Sequence, residues 1–288
     1  MVILFNHLNR DQADSFSLVL NASGIGNRIS QSDQGFLIEV PEPYLADARH
    51  AIARYQAENP TNESDRPARS SPPTPASFSG IGVAAVLLAV HLAVVGSAAP
   101  QDYIDTFGAD ARRILDGELY RCATALVLHA DAAHIAGNMA GLALFGSAVG
   151  AVSGLGVGWL MILACGFFGN LFNAMVYETA HLSVGASTAV FGAVGILCAV
   201  QSVNAVRTGK GWKRVLLVLG TGIALLGFLG TSARSDMGAH LFGFLTGVAM
   251  GGAYGLGMKN RLGWKGQFLC GAVAVLSILS SWVRGLMR

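Results

Sequence analysis

Charge is what this chain has least of. Lysine, arginine, aspartate and glutamate make up 12% of its 288 residues, about half the ~25% usual in soluble domains. Hydrophobic residues make up 52%, and the mean hydropathy is +0.51. That balance points to a membrane protein. A net charge of +2 with no basic tract gives nucleic acid no reason to bind. The four cysteines (Cys122, Cys165, Cys198 and Cys270) are scattered in or beside apolar stretches without CxxC spacing, so they read as small hydrophobes in helices. A zinc protease would need His-Glu-x-x-His; the nearest match, Tyr177-Glu178-Thr179-Ala180-His181, lacks the first histidine. No apolar segment carries the two carboxylates of an aspartyl enzyme. No metal, cofactor or nucleotide is expected. The start, Met1 to Asn6, lacks the basic opening and small-residue cleavage site of a signal peptide.

Long apolar runs are what the chain does have. They fall at 78–98, 122–148, 155–176, 187–205, 215–231, 238–258 and 267–283. A span needs about 20 residues, with a range near 17–25, which predicts six transmembrane helices and a seventh at 267–283. The expected fold is therefore an all-α polytopic membrane protein of six helices (78–258), followed by a seventh helix and tail (259–288). Ahead of it, residues 1–58 read as a small soluble α+β domain. Ala13, Phe16, Val19 and Leu20 recur at helical spacing, and Gly24 suits a left-handed C-cap. Ile29 and the run Phe36–Val40 read as a strand pair, and Leu45, Ala48, Ile52 and Tyr55 as a second helix. Residues 59–77 form a Pro/Ser-rich linker.

Orientation follows from cations in short loops. Arg207, Lys210, Lys213 and Arg214 fall in one loop, and Lys259, Arg261 and Lys265 in another. Both then face the cytoplasm, together with the N-terminal domain and its neighbours Arg66 and Arg69. Arg112, Arg113 and Arg121 fall against that bias, in a first outer loop that also holds Asp102, Asp105, Asp110, Asp116 and Glu118.

Two polar side chains head apolar segments on the outer side. Ser187 lies in Gly185-Ala186-Ser187-Thr188-Ala189-Val190-Phe191-Gly192, and His240 in Met237-Gly238-Ala239-His240-Leu241-Phe242-Gly243. A lone serine in a membrane helix can simply bond back to its own helix. An ionisable group inside the bilayer is costly and faces a polar interior or a partner. Together they can form a nucleophile and its base. Gly243, Gly247 and Gly251 repeat along one face after His240; such a stripe either permits a close approach or is only a packing face. In the second apolar run, His134 and Asn138 stand four apart on one helical face, where an imidazole and an amide can donate to an oxyanion. His129 precedes them, expected nearer the outer end of that helix. The alternative reading of Asn138 is a helix-bridging amide, and His91 reads as a packed or helix-bridging histidine. A transporter, or a protein that binds membrane clients without catalysis, is the competing reading.

The joint pattern His129-xxxx-His134-xxx-Asn138, Gly185-x-Ser187 and Gly238-Ala239-His240-xx-Gly243-xxx-Gly247 resembles the rhomboid family of intramembrane serine proteases. The likeness covers about residues 78–258. Tyr120-Arg121 resembles the Trp-Arg pair of that family's first outer loop, with tyrosine in place of tryptophan. The resemblance implies Ser187 as nucleophile and His240 as general base and then acid. It implies His134, Asn138 and the Ser187 backbone N–H as the oxyanion hole, with Phe191, where tyrosine is frequent, as the ring beneath His240. Gly185, Gly243, Gly247, His129 and Arg121 would support the site. The implied partners are the lipid bilayer and membrane proteins with a transmembrane helix, cleaved near the outer face. The implied location is a bacterial inner membrane.

Overall fold

The computed structural model describes residues 1–32, 35–59, 78–177, 181–209, 211–230, 236–258 and 260–288. The linker from residue 60, with Arg66 and Arg69, and residues Glu178, Lys210 and Lys259 lie outside them. The chain divides into two compact units, 1–71 and 72–288.

The first unit is a three-stranded antiparallel sheet, β1 (Val2–Leu8), β2 (Arg28–Ser32) and β3 (Gly35–Val40), in the order β1-β3-β2, with helices α1 (Arg10–Ala22) and α2 (Leu45–Glu58). Asn9 and Gln12 form a reciprocal capping box at the start of α1. At its end Gly24, at φ +75°, lets the N–H groups of Gly24 and Ile25 donate to the carbonyls of Asn21 and Leu20. Phe16, Leu20, Ile38, Val40 and Ile52 fill the core. The strand β1 is absent from the sequence reading, because Val2-Ile-Leu-Phe is a continuous apolar run without the two-residue alternation that marks a half-buried strand.

The second unit is helical. Helix α3 (Ser79–Val95) leads into an ordered outer loop built from α4 (Pro100–Phe107), β4 (Ala109–Asp110), α5 (Ala111–Leu115) and α6 (Arg121–Thr124). Then come α7 (Ala132–Gly141), a π-helical turn (Leu142–Gly146), α8 (Ser147–Ser153), α9 (Leu155–Tyr177) and β5 (Leu182–Ser183), which pairs with β4. The helices α10 (Ser187–Arg207), α11 (Gly211–Gly230), α12 (Met237–Gly257) and α13 (Trp264–Leu286) complete it.

The second span corrects the sequence reading. Residues 122–127 were expected inside it, yet they form the buried floor of the outer loop, with Cys122 and Ala125 almost wholly enclosed. The helix starts only at Ala132, because the Asp131 side chain accepts from the His134 N–H at 2.8 Å and caps it. It then runs through the π turn to Ser153, where Gly154 at φ +91° ends it. The stretch is apolar because it is the core of a loop, a case that composition alone does not separate from a span.

Among the described residues, four helices are long and apolar enough to cross a membrane: 132–153, 155–177, 187–207 and 264–286. Helix α3 is shorter, at 17 residues, and glycine dilutes the hydropathy of α12. Cations close the ends away from Ser187. Arg207 donates to the Leu256 carbonyl at 2.9 Å, and Arg261 to those of Val152 and Ala151, as suits the negative ends of helices. At the opposite end Arg288, just past α13, reaches Glu118 of the outer loop at 2.6 Å. Helix α13 therefore runs the full height of the unit.

Candidate active site

Helix α10 is the centre of the bundle, and α12 lies so close to it that the two backbones touch. A Cβ on Gly243 would overlap the Thr188 carbonyl, one on Gly247 the Gly192 carbonyl, and one on Gly251 the Ile196 carbonyl. Reciprocally, Gly195 faces the Phe244 carbonyl. This is where the glycine stripe lies. The approach brings the heads of the two helices together, with His240 Nε2 2.8 Å from Ser187 Oγ. The His240 ring is buried and sits over Phe191, with centroids 4.7 Å apart and planes at 38°.

Ser187 opens α10, so the first-turn N–H groups there have no intrahelical partner. Gly185 before it has φ +125°, a conformation that side chains rarely adopt. A Cβ there would stand 2.5 Å from His134 Nε2 and 3.3 Å from Asn138 Nδ2, so the backbone leading to Ser187 passes directly beside both side chains. Asn138 is buried, and its Nδ2 has no hydrogen-bond partner among the described residues. A buried donor without an acceptor is costly, and here it lies next to the backbone that leads into Ser187.

His129 does not lie on α7. It belongs to the loop before it, because Leu128 is extended and the Asp131 cap starts the helix only afterwards. There its Nε2 accepts from the Ala186 N–H at 3.4 Å, and its ring meets those of His134 (5.2 Å) and His91 (6.4 Å) edge on. Arg121 is fully buried away from Ser187. It donates to Glu118 at 2.6 Å and to the carbonyls of Asp105 and Gly108, which ties the outer loop together. Burial pushes the Glu118 carboxyl up, but the bonds from Arg121 and Tyr120 and the charges of Arg121 and Arg288 outweigh it and hold the pKa below its ordinary value.

Several polar residues at the site escaped sequence reasoning. Asp236, the residue before α12, caps that helix by accepting from the Ala239 N–H at 3.0 Å. Its other oxygen takes Asn173 Nδ2 and His181 Nε2, both at 2.7 Å. It thus joins the head of α12 to α9 and to the strand before Ser187. Asn170 accepts from the Thr188 hydroxyl at 3.0 Å and donates to the Cys122 carbonyl at 3.0 Å. The signal was available: two amides one turn apart in the apolar α9 are costly unless they bridge partners.

Fold and site together define a polytopic helical membrane protein with a serine–histidine pair where two central helices begin. Residues 116–256 match the family model of the Rhomboid domain. The chain is 30% identical over 199 residues to Rhomboid protease GluP of Bacillus subtilis (strain 168), a stretch covering 67% of this chain and 37% of that protein. It is 32% identical over 135 residues to RHOMBOID-like protein 7 of Arabidopsis thaliana, covering 46% and 42%. With Rhomboid-like protein 11, chloroplastic, of the same plant it shares 31% over 158 residues, covering 54% and 51%. The chain thus spans between about a third and a half of the length of these relatives. It belongs to the rhomboid family and is an integral membrane protein.

Proposed function

We propose that the protein is an intramembrane serine endopeptidase that cleaves membrane proteins near the outer ends of their transmembrane helices. The observation that carries this reading is the 2.8 Å contact between Ser187 Oγ and His240 Nε2 at the mouth of the bundle. A serine hydroxyl is a weak nucleophile until a base takes its proton. His240 is that base: it receives the proton as Ser187 attacks the substrate carbonyl, then returns it to the leaving amine. The acyl-enzyme is released by water, with His240 taking the water's proton.

The negative charge that develops on the carbonyl oxygen needs donors already in place. His134, Asn138 and the Ser187 backbone N–H serve, supported by the passage of Gly185 beside both side chains and by the buried Asn138 Nδ2, which has no acceptor among the described residues. The angle of the His240 ring is set by the Phe191 ring and by the Asp236 cap, which anchors the first turn of α12. A substrate helix has its carbonyls occupied by its own hydrogen bonds, so small or helix-breaking residues near the cut are required. The cations Arg207, Lys213, Arg214, Arg261 and Lys265 gather at or near the helix ends opposite Ser187, which supports a bacterial inner membrane with that end, and the N-terminal unit, in the cytoplasm.

The test is cleavage of a co-expressed tagged membrane substrate, together with labelling by a serine-directed fluorophosphonate. Ser187→Ala and His240→Ala lose both while the protein stays inserted; labelling that persists in Ser187→Ala rejects the nucleophile. Asn138→Ala keeps its melting temperature and loses about 10²-fold in kcat, the scale of one oxyanion donor.

A further inference from the structure

Helix α13 carries its polar and aromatic contacts with the rest of the unit at its two ends, and between them Ala274 is buried. At the inner end, Gln267 donates to the Ser153 carbonyl at 2.9 Å and accepts from the Val157 N–H at 3.1 Å. At the outer end, the Trp282 ring lies on Phe107 with centroids 4.1 Å apart, the Gly285 backbone rests against Phe107 and Tyr120, and Arg288 binds Glu118. The middle faces outward, with Leu276 and Leu279 more than half exposed. A helix serving only as a further lipid anchor has no need of a polar and aromatic grip on a loop.

What that loop touches gives the grip its meaning. Trp282 joins one apolar cluster with Phe107, Tyr120, Leu128 and Val184. Leu128 and Val184 are the residues immediately before His129 and Gly185. Hydrogen bonds follow the same route. Glu118 holds Arg121, the Thr124 hydroxyl donates to the Phe107 carbonyl at 2.6 Å, and the adjoining Ala125 carbonyl accepts from the Gly185 N–H at 2.9 Å. From Gly185 the chain reaches Ser187 in two residues, and His129 holds the Ala186 N–H between them.

We propose that the outer end of α13, through Trp282 and Arg288, positions the Gly185–Ser187 backbone by clamping the outer loop that carries it, so that the seventh helix tunes the oxyanion site without touching it. Trp282 and Arg288 are positioning residues in this reading, which rests on the protease function for its kinetic consequence though not for its structural one. A contiguous chain of packed groups transmits a displacement only if it is coupled, so the test measures coupling.

The 288-residue chain in detergent micelles is compared with Arg288→Ala, Arg288→Lys, Trp282→Ala and, as control, Arg284→Ala, whose exposed side chain is one turn earlier. Two quantities are read: amide exchange in peptides covering 125–129 and 182–187, and the rate of fluorophosphonate labelling with the kcat and KM of a model substrate. Arg288→Ala is expected to speed exchange in both peptides and to lower the labelling rate and kcat about fivefold with KM unchanged, the scale of a partly exposed ion pair. Arg288→Lys restores most of it, Trp282→Ala costs more, and Arg284→Ala changes nothing. Combining Arg288→Ala with Glu118→Gln adds less than the two losses separately, as expected of partners in one contact. Unchanged exchange at 182–187 in both Arg288→Ala and Trp282→Ala overturns the clamp, as does a loss that only tracks the melting temperature. Faster exchange in a protein whose wild type does not label at all leaves the clamp standing and removes the protease reading.

Discussion

Helices α10 and α13 are close to the same object in composition. They have 21 and 23 residues, and their most apolar stretches have hydropathies of 1.8 and 1.7. Yet 67% of that stretch is buried within the protein in α10 and 6% in α13. Apolarity takes a helix into the membrane, but lipid tails are as apolar as leucine and give no drive for one helix to pack on another. The difference comes from what the neighbours lack. Along α12, Gly243, Gly247 and Gly251 let the Thr188, Gly192 and Ile196 carbonyls of α10 come within backbone contact. The main body of α13 offers α10 no such stripe, and it is held from its ends.

The largest effect expected from breaking this contrast is at Gly247. A leucine there must displace the Gly192 carbonyl, and overpacking of that kind costs about 3 kcal/mol, enough to separate Ser187 from His240. Thermal melting in detergent and fluorophosphonate labelling should both collapse; a normal melt would mean that α12 does not rest on backbone. Gly252, next in the same helix as Gly251 but with nothing within 4 Å of its Cβ position, is the matched control and should accept alanine without a change in melting.

Smaller is the loss expected from Asp236→Ala, which removes the cap of α12 together with the acceptor for Asn173 and His181. Loss of a cap alone costs about 1 kcal/mol, and kcat should fall with it, because the first turn of α12 carries His240. Full kcat in that variant would show that Phe191 alone aligns the ring. On the α13 side, Gln267→Ala should lower the melt by about 1 kcal/mol through two lost hydrogen bonds and leave labelling intact.

The smallest and most specific effect is one of pH. Glu118 has its folded pKa depressed, so the unfolded chain binds its proton first as the pH falls. The stability it lends is complete above the ordinary carboxylate range and is lost only as the pH drops through the lowered folded value. Melting curves of the wild type and Glu118→Gln should therefore differ at neutral pH and converge in acid. A gap that persists or widens in acid would contradict the ion pair with Arg121 and Arg288.

Much of this protein could be read along the chain, and the misses share a cause. Periodicity marks a helix whose faces differ, and apolarity marks one that enters lipid, so α9, α10, α12 and α13 were visible close to their true limits. Residues 122–127 were misplaced because the inside of a folded loop is as apolar as a bilayer. His129 went with them, off the helix and onto the Ala186 N–H. Asp236 carries no mark in the sequence, because its cap acts through the backbone of its own helix and its partners Asn173 and His181 are distant along the chain.

Residue order alone determined that much of this chain enters a membrane, that Arg207, Lys213, Arg214, Arg261 and Lys265 fall in two short loops, and which polar side chains stand at the heads of apolar segments. Those properties belong to single residues and their near neighbours, so they are written locally. Only the tertiary structure decided that Ser187 meets His240, that Gly185 runs between the outer loop and the pair His134 and Asn138, and that α13 reaches back to the outer loop. Each of these depends on how closely two backbones approach, and that distance is set jointly by glycines, carbonyls and caps on separate helices.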